Sequence, residues 1–252
     1  MEDRFKKALR DPRKALRALW RRGMNRTLNL ILPFVAPLRG GGKGGVMRHY
    51  ASPKIYCAHQ QFKLYLLRDY LQEEYEPRFE SALFERLQHL REQGVLKRKG
   101  VALCLAARLG AEVRAFRRAG FFAVGIDLNP GKRNPWVLPG DFHNLQFADE
   151  SVDVVYSNSL DHVLDLPQFT REVRRVLKDE GVALFEVMKG LQEGGRMGAF
   201  EARMWSSVDA LQQELRQFGL SCAQQGEFDY PWRGVILVCR QMNNNETTPA
   251  RA

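Results

Sequence analysis

The chain has 252 residues, enough for one full domain plus an appendage, and its 44% hydrophobic content supplies a core while excluding a polytopic membrane protein. The formal net charge of +10 is confined to one end. Residues 1–50 hold 13 Lys/Arg and 3 Asp/Glu, which leaves 26 of each sign for the rest out of totals of 39 and 29. The body is therefore neutral, with no recognition motif or basic stripe running into it, and this argues against a nucleic-acid partner.

Within the arm, Asp11-Pro12 is a helix start, acid at the N-cap and proline at the first helical position. Ala15, Leu16, Leu19 and Trp20 then share a stripe flanked by Arg13, Lys14, Arg17, Arg21 and Arg22. The apolar run Leu28–Leu38 is broken by Pro33 and Pro37 and is shorter than the roughly 20 residues a bilayer span needs. A basic amphipathic helix followed by such a patch over residues 11–38 suits an anionic membrane surface, or a stripe packed on the body. The glycine run Gly40–Gly45 reads as a flexible linker closing an appendage over residues 1–50.

Residues 51–95 read as a helical cap, with Phe62, Leu66, Tyr70, Phe79, Leu83, Leu87 and Leu90 at helical spacing and Pro77 expected to break it in two. His59 and Gln60 open this cap and either face a pocket or decorate the surface. An alternating unit follows over 96–240. Strands are expected at 101–105, 121–126, 136–138, 152–156 and 181–187, with helices at 111–119 and 167–177 between them. A helix over 205–218 and a closing strand pair at 220–227 and 234–240 complete it. The tail 241–252 reads as disordered.

Short apolar strands alternating with helices imply a parallel sheet covered on both faces, with ligands at the strands' carboxyl ends. Acids and small polar residues cluster at those ends: Asp127, Gly140-Asp141 and Ser157-Asn158-Ser159. Cys57, Cys104, Cys222 and Cys239 offer no CxxC spacing and no zinc set. Cys104 and Cys239 read as buried thiols, and the set as that of a reducing, cytoplasmic compartment.

These pieces carry a resemblance. Val124-Gly125-Ile126-Asp127-Leu128, Gly140-Asp141-Phe142-His143, Leu145–Val155, Ser159-Leu160-Asp161-His162-Val163 and Arg171–Gly181 together resemble a class I S-adenosylmethionine-dependent methyltransferase of the type 11 group. The resemblance covers roughly residues 95–240. It implies a Rossmann-like three-layer α/β sandwich, mostly parallel and seven-stranded with an antiparallel last strand, preceded by the N-terminal helices. The implied cofactor is S-adenosylmethionine and the implied activity methyl transfer, with sugar, lipid-linked, small-molecule and protein acceptors all open. An NAD-dependent oxidoreductase is disfavoured, since the loop after the first strand lacks the dinucleotide glycines.

By the same resemblance, Asp127 would accept from the ribose hydroxyls, beside Leu128, unless it merely caps a turn at Asn129. Asp141 and Phe142 would meet adenine, unless Asp141 closes an Asx turn. Ser157 and Asn158 would orient the methionine part, and Asp153 reads as structural. His162 is either a general base or a histidine satisfied at a helix start, and transfer from a sulfonium needs no obligatory base. The departure lies in Cys104-Leu105-Ala106-Ala107-Arg108-Leu109-Gly110, where Cys104 replaces the family's acid and Ala106 and Arg108 replace glycines, leaving only Gly110. Either Arg108 forks onto the cofactor's carboxylate, with Glu112 supplying the missing acid near its amine, or the domain has become a non-catalytic binding module. The acceptor side is expected from the cap and from Met188–Ala199, whose glycines suggest a mobile lid; Trp205 reads more as core than as platform.

Overall fold

The computed structural model describes Gly23, Thr27, Leu30 and residues 32–242. The expected helix from Asp11 and the tail beyond residue 242 lie outside the described residues.

Seven strands form one sheet in the order β5-β4-β3-β6-β7-β10-β9. These are β3 (Val101–Leu105), β4 (Phe122–Asp127), β5 (Val137–Pro139), β6 (Val152–Ser157), β7 (Leu177–Met188), β9 (Leu220–Phe228) and β10 (Gly234–Gln241). Strands β5, β4, β3, β6 and β7 run parallel, whereas β10 is antiparallel to both β7 and β9. The expected parallel α/β sheet with an antiparallel last strand is borne out. Its inner strands are apolar on both faces, as burial on two sides requires: Ala102, Leu103, Cys104 and Leu105 are all essentially inaccessible. One core cluster joins the sheet to α1 (Pro53–Tyr70), α2 (Glu76–Glu92) and α3 (Ala111–Arg118); the other joins it to α4 (Leu166–Val176) and α5 (Val208–Gln217).

Pro77 does not break the cap. α1 passes through a π-helical turn, Leu71–Tyr75, directly into α2, with Pro77 in the first turn of α2. The backbone N–H of Glu76 donates to Leu71 O, an i→i−5 bond that lets the chain continue past a residue with no N–H to give. Glu76 also caps another helix: its Oε2 accepts from the Ala111 N–H at 2.9 Å, satisfying an orphan donor at the start of α3.

Two further expectations are corrected. Gly40–Gly45 is not a loose linker but the turn of a hairpin between β1 (Leu38–Gly40) and β2 (Val46–Arg48). The latter pairs with β8 (Arg203–Met204), and Ser206 Oγ donates to Lys43 O at 2.6 Å. Cys239 is not a free buried thiol, for it is joined to Cys222 across the β9–β10 pair by a disulfide, leaving Cys57 and Cys104 free. Spacing could not reveal this, since the partners become neighbours only once β9 and β10 pair in register. The cysteine argument for a reducing compartment loses its basis. Among the described residues no helix is long and apolar enough to cross a membrane.

Candidate active site

Two connected chambers lie at the carboxyl ends of β3, β4, β6 and β7. The first, about 150 Å³, is walled by Asp127, Leu128 and Phe142 on the sheet side and by Tyr56, Gln60 and Lys63 of α1 opposite. The second, about 80 Å³, is walled by Tyr75, Asn158, Asp161, Met188, Glu201 and Trp205 among others. Lys63, Arg108, Ser159 and His162 line both.

The loop between β3 and α3 explains how the family's glycines could be lost. Ala106 and Arg108 adopt φ of 56° and 43°, and Gly110 of 92°. The left-handed backbone is kept while the side chains have changed, at a cost of order 1–2 kcal/mol for each non-glycine residue. Gly110 retains its glycine because a Cβ there would sit 2.8 Å from Trp136 Cβ. In backbone shape, then, arginine at 108 stands in for the family's glycine. Its guanidinium lies 5.9 Å from the Tyr75 ring and, among the described residues, has no carboxylate within ion-pair distance.

Asp127 is held by two backbone donors, Arg108 N–H at 3.1 Å on Oδ2 and Asn129 N–H at 2.7 Å on Oδ1. It therefore does what the turn-capping reading required, yet it still lines the first chamber with lone pairs to spare. Asp141 behaves differently. Its Oδ1 accepts from the His143 backbone N–H at 2.8 Å and lies 2.9 Å from His143 Nδ1, with half its side chain exposed. That hydrogen bond to His143 is the main reason its carboxyl sits below the usual range. Phe142, buried beside it, is the residue of this pair that lines the chamber.

The residues after β6 divide in the same way. Ser157 is fully buried, its Oγ accepting from Ser159 N–H at 3.2 Å, and it lies outside both linings. Asn158 lines the second chamber and donates to Glu112 Oε1 at 3.4 Å. Glu112 itself stands behind that wall, with Oε2 buried and unpartnered. Burial, with Glu76 adding to it, raises the Glu112 carboxyl to about 8, so near neutrality it is largely protonated. Asp153 accepts from Val101 N–H at 2.8 Å and from Lys178 at 3.0 Å, a structural post.

His162 lies on the turn Leu160–His162, its Nε2 3.2 Å from Lys63 Nζ and 3.7 Å from Asp161 Oδ2, its Nδ1 buried without a partner. Burial and the nearby Lys63 and Arg108 cations depress its pKa well below that of free histidine. Burial, with Glu201 adding, raises Asp161 to about 7, while burial and Arg108 lower Lys63 to about 8. Among the described residues no group of His, Cys, Asp and Glu is arranged to hold a metal ion.

Against known proteins, residues 103–185 match the family model described as a methyltransferase domain. The chain carries a methyltransferase domain. The matched stretch runs from within β3 to within β7, so the loop with Arg108, the acid Asp127 and the β6 rim all fall inside it. Over 85 residues the chain is 35% identical to malonyl-[acyl-carrier protein] O-methyltransferase of Halorhodospira halophila, a match spanning 29% of this chain and 28% of that enzyme. The fold extends further. At 16% identity and a TM-score of 0.59 the chain resembles 1,6-didemethyltoxoflavin-N1-methyltransferase of Burkholderia thailandensis, solved with 1,6-didemethyltoxoflavin and S-adenosylhomocysteine, over 82% of this chain and 99% of that one. At 19% identity and a TM-score of 0.53 it resembles DhpI in its SAH complex, over 76% and 99%.

The methyltransferase domain does not build its site alone. Tyr56, Gln60 and Lys63 reach it from α1, before the domain, and Glu201 and Trp205 from the segment after it. Gln60 also donates to Phe200 O at 3.0 Å, while His59 faces away onto Tyr50 and Phe200. Lys63 was not legible in the sequence because one lysine on a mixed amphipathic helix carries no signal; its place one turn after Gln60 was the only hint. Trp205 is core and wall at once, its Nε1 donating to Met188 O at 2.8 Å. Residues 188–199, expected to be a mobile lid, are pinned: Leu191 N–H donates to Trp205 O at 3.1 Å and Gln192 N–H to Ser206 O at 2.8 Å. The glycine at 195 answers a close approach rather than a hinge, since a Cβ there would collide with Lys189 O.

Proposed function

We propose that this protein is an S-adenosylmethionine-dependent methyltransferase whose first chamber takes the nucleoside and whose second takes the acceptor. The single observation that carries the reading is the Arg108 guanidinium, held at the junction of both chambers with no acidic partner of its own among the described residues. A partly buried cation with acids only at longer range, Glu112, Asp127 and Glu76, and none in ion-pair contact has its fork free for an anion, and a free α-carboxylate supplies one with bidentate geometry. Asp127 offers its remaining lone pairs to vicinal hydroxyls, and Leu128 and Phe142 an apolar slot for a purine. When bound, the cofactor would supply an electrophilic methyl group on a positively charged sulfur. The chain's part is to hold the two reactants in line at Ser159 and His162 and to exclude water with α1, which is the larger share of such a reaction.

Isothermal titration of the full chain tests this. Micromolar binding of S-adenosylmethionine and of S-adenosylhomocysteine is expected. No heat from folded protein up to millimolar ligand would leave a non-catalytic binding module as the better description. The acceptor of the Halorhodospira relative is not carried over, because the matched stretch is about a quarter of that enzyme.

A second reading concerns where the enzyme works. Leu30, Phe34, Val35 and Leu38 are exposed, Phe34 at 88%, directly after an arm rich in Lys and Arg. We infer peripheral binding to an anionic bilayer, the apolar side chains entering the interface and the arm neutralising headgroups. Co-sedimentation with vesicles containing 30% phosphatidylglycerol checks it. Binding should fall at least tenfold in F34S or on removal of residues 1–22, leaving the hairpin intact; unchanged binding would sink the idea.

A further inference from the structure

Lys63 has no assigned role, yet of all the charged side chains at the site it is the one that reaches across from the cap. It projects from α1 to the junction of the two chambers, with Nζ 3.2 Å from His162 Nε2 and 5.7 Å from the Phe200 ring centroid. Charged and titratable groups face it from every side. Arg108 comes from the β3–α3 loop, Asp127 from the end of β4, Asp161 and His162 from the turn after β6 and Glu201 from the segment before β8, while His59, one turn earlier on α1 and turned onto Tyr50 and Phe200, feels the Lys63 charge at longer range.

Resting on the methyl-transfer reading above, we propose that Lys63 is the catalytic base of this enzyme, and that the acceptor is therefore a neutral O–H or N–H acid rather than a preformed carboxylate. The amine is partly neutral already, because burial and Arg108 oppose its charge, bringing it to about 8. With S-adenosylmethionine bound, Lys63 would meet a second like charge and would shift further toward the free amine. His162 is the weaker candidate, since a ring whose pKa lies well below that of free histidine has little affinity for a proton. It instead orients the amine through the Nε2 contact. In the step itself, the acceptor's oxygen or nitrogen forms its bond to the methyl carbon as the carbon–sulfur bond breaks, its electron pair staying on sulfur to give the neutral thioether. The acceptor's proton passes to Lys63 Nζ and from the resulting ammonium to solvent.

The experiment is an NMR titration of the full-length protein carrying 13C at lysine Cε, with K63M and K63R each serving to assign the resonance. One lysine should titrate at about 8, absent from both variants, and S-adenosylmethionine should lower its midpoint more than S-adenosylhomocysteine, which lacks the positive sulfur. A Lys63 midpoint above 10, or one raised by S-adenosylmethionine, would overturn the proposal. For the acceptor class, 4-nitrophenol added to the S-adenosylhomocysteine complex should show its phenolate band at lower pH than in free solution, and K63M should abolish that advantage. Tighter binding of benzoate than of 4-nitrophenol, or no uptake of the phenol, would overturn it by making Lys63 an ammonium clamp. If S-adenosylmethionine gives no heat while Lys63 still titrates near 8, the methyltransferase reading fails and the perturbed lysine survives it.

Discussion

The two chambers are built from different kinds of sequence. The first chamber draws its sheet-side wall from a contiguous βαβ unit, in which Arg108, Asp127 and Phe142 arrive at the ends of successive parallel strands. The second chamber is assembled from pieces far apart in the chain, with Tyr75 at the α1–α2 junction, Asp161 after β6, Met188 at the end of β7 and Glu201 before β8. The first is fixed by strand order and tolerates a rewritten loop so long as its left-handed backbone survives. The second depends on the cap and on the late segments, and it holds a charge balance of Lys63, Asp161 and His162 all shifted toward neutral forms. Recognition of the donor and handling of the acceptor should therefore fail separately.

The largest separation is expected at Asp127. D127A removes a carboxylate that accepts from Arg108 and Asn129 and lines the chamber, so S-adenosylhomocysteine affinity should drop roughly 100-fold, about 2.7 kcal/mol, by calorimetry. The Lys63 titration should survive it. A smaller effect sharpens the account of the loop. R108A and R108G should both weaken the cofactor about tenfold. R108G should nonetheless melt higher than R108A, by an amount near 1 kcal/mol, because only glycine adopts φ 43° without strain. Equal melting temperatures would show that the loop relaxes.

The pH dependence of stability tests the buried acids behind the second chamber. Glu112 holds a proton in the folded state up to about 8, against 4.5 for an ordinary glutamate. Its contribution is therefore complete below about 4.5 and is lost as pH rises toward 8. Asp161, raised to about 7, acts in the same sense. Thermal melts should fall as pH rises from about 4.5 to 8, and E112Q should recover part of that loss, roughly 2–4 °C for each kcal/mol regained in a chain of this size. The smallest effect should come from D141N, below about threefold on cofactor affinity, since that carboxylate is committed to His143 and is off the chamber wall. A loss as large as that of D127A would mean Asp141 swings onto the nucleoside.

Fold was legible because it is a pattern of many residues. Both-face burial leaves continuous apolar runs such as Val101–Leu105 and Val182–Phe185, and the alternation with helices survives any single substitution. The candidate site was legible only where a side chain's place follows from its strand, as with Asp127 and Arg108. Asp141 and Ser157 lie outside the linings of both chambers because a strand end fixes a position and not which neighbour a short side chain prefers. Glu112 stands on the expected helix, but burial behind Asn158, which no local pattern shows, keeps it off both chamber walls and raises its carboxyl.

The amino-acid order alone determined the doubly covered parallel sheet, the end of it that carries the site and the place of Asp127 at a strand end there, since each follows from local periodicity and strand sequence. Only the tertiary structure decided that Cys222 meets Cys239, that the glycine run closes a hairpin, that Arg108 keeps a glycine's backbone, and that Lys63 reaches the chamber junction. Each of these joins residues or conformations whose energies depend on neighbours brought in from elsewhere in the chain, and no local pattern encodes those neighbours.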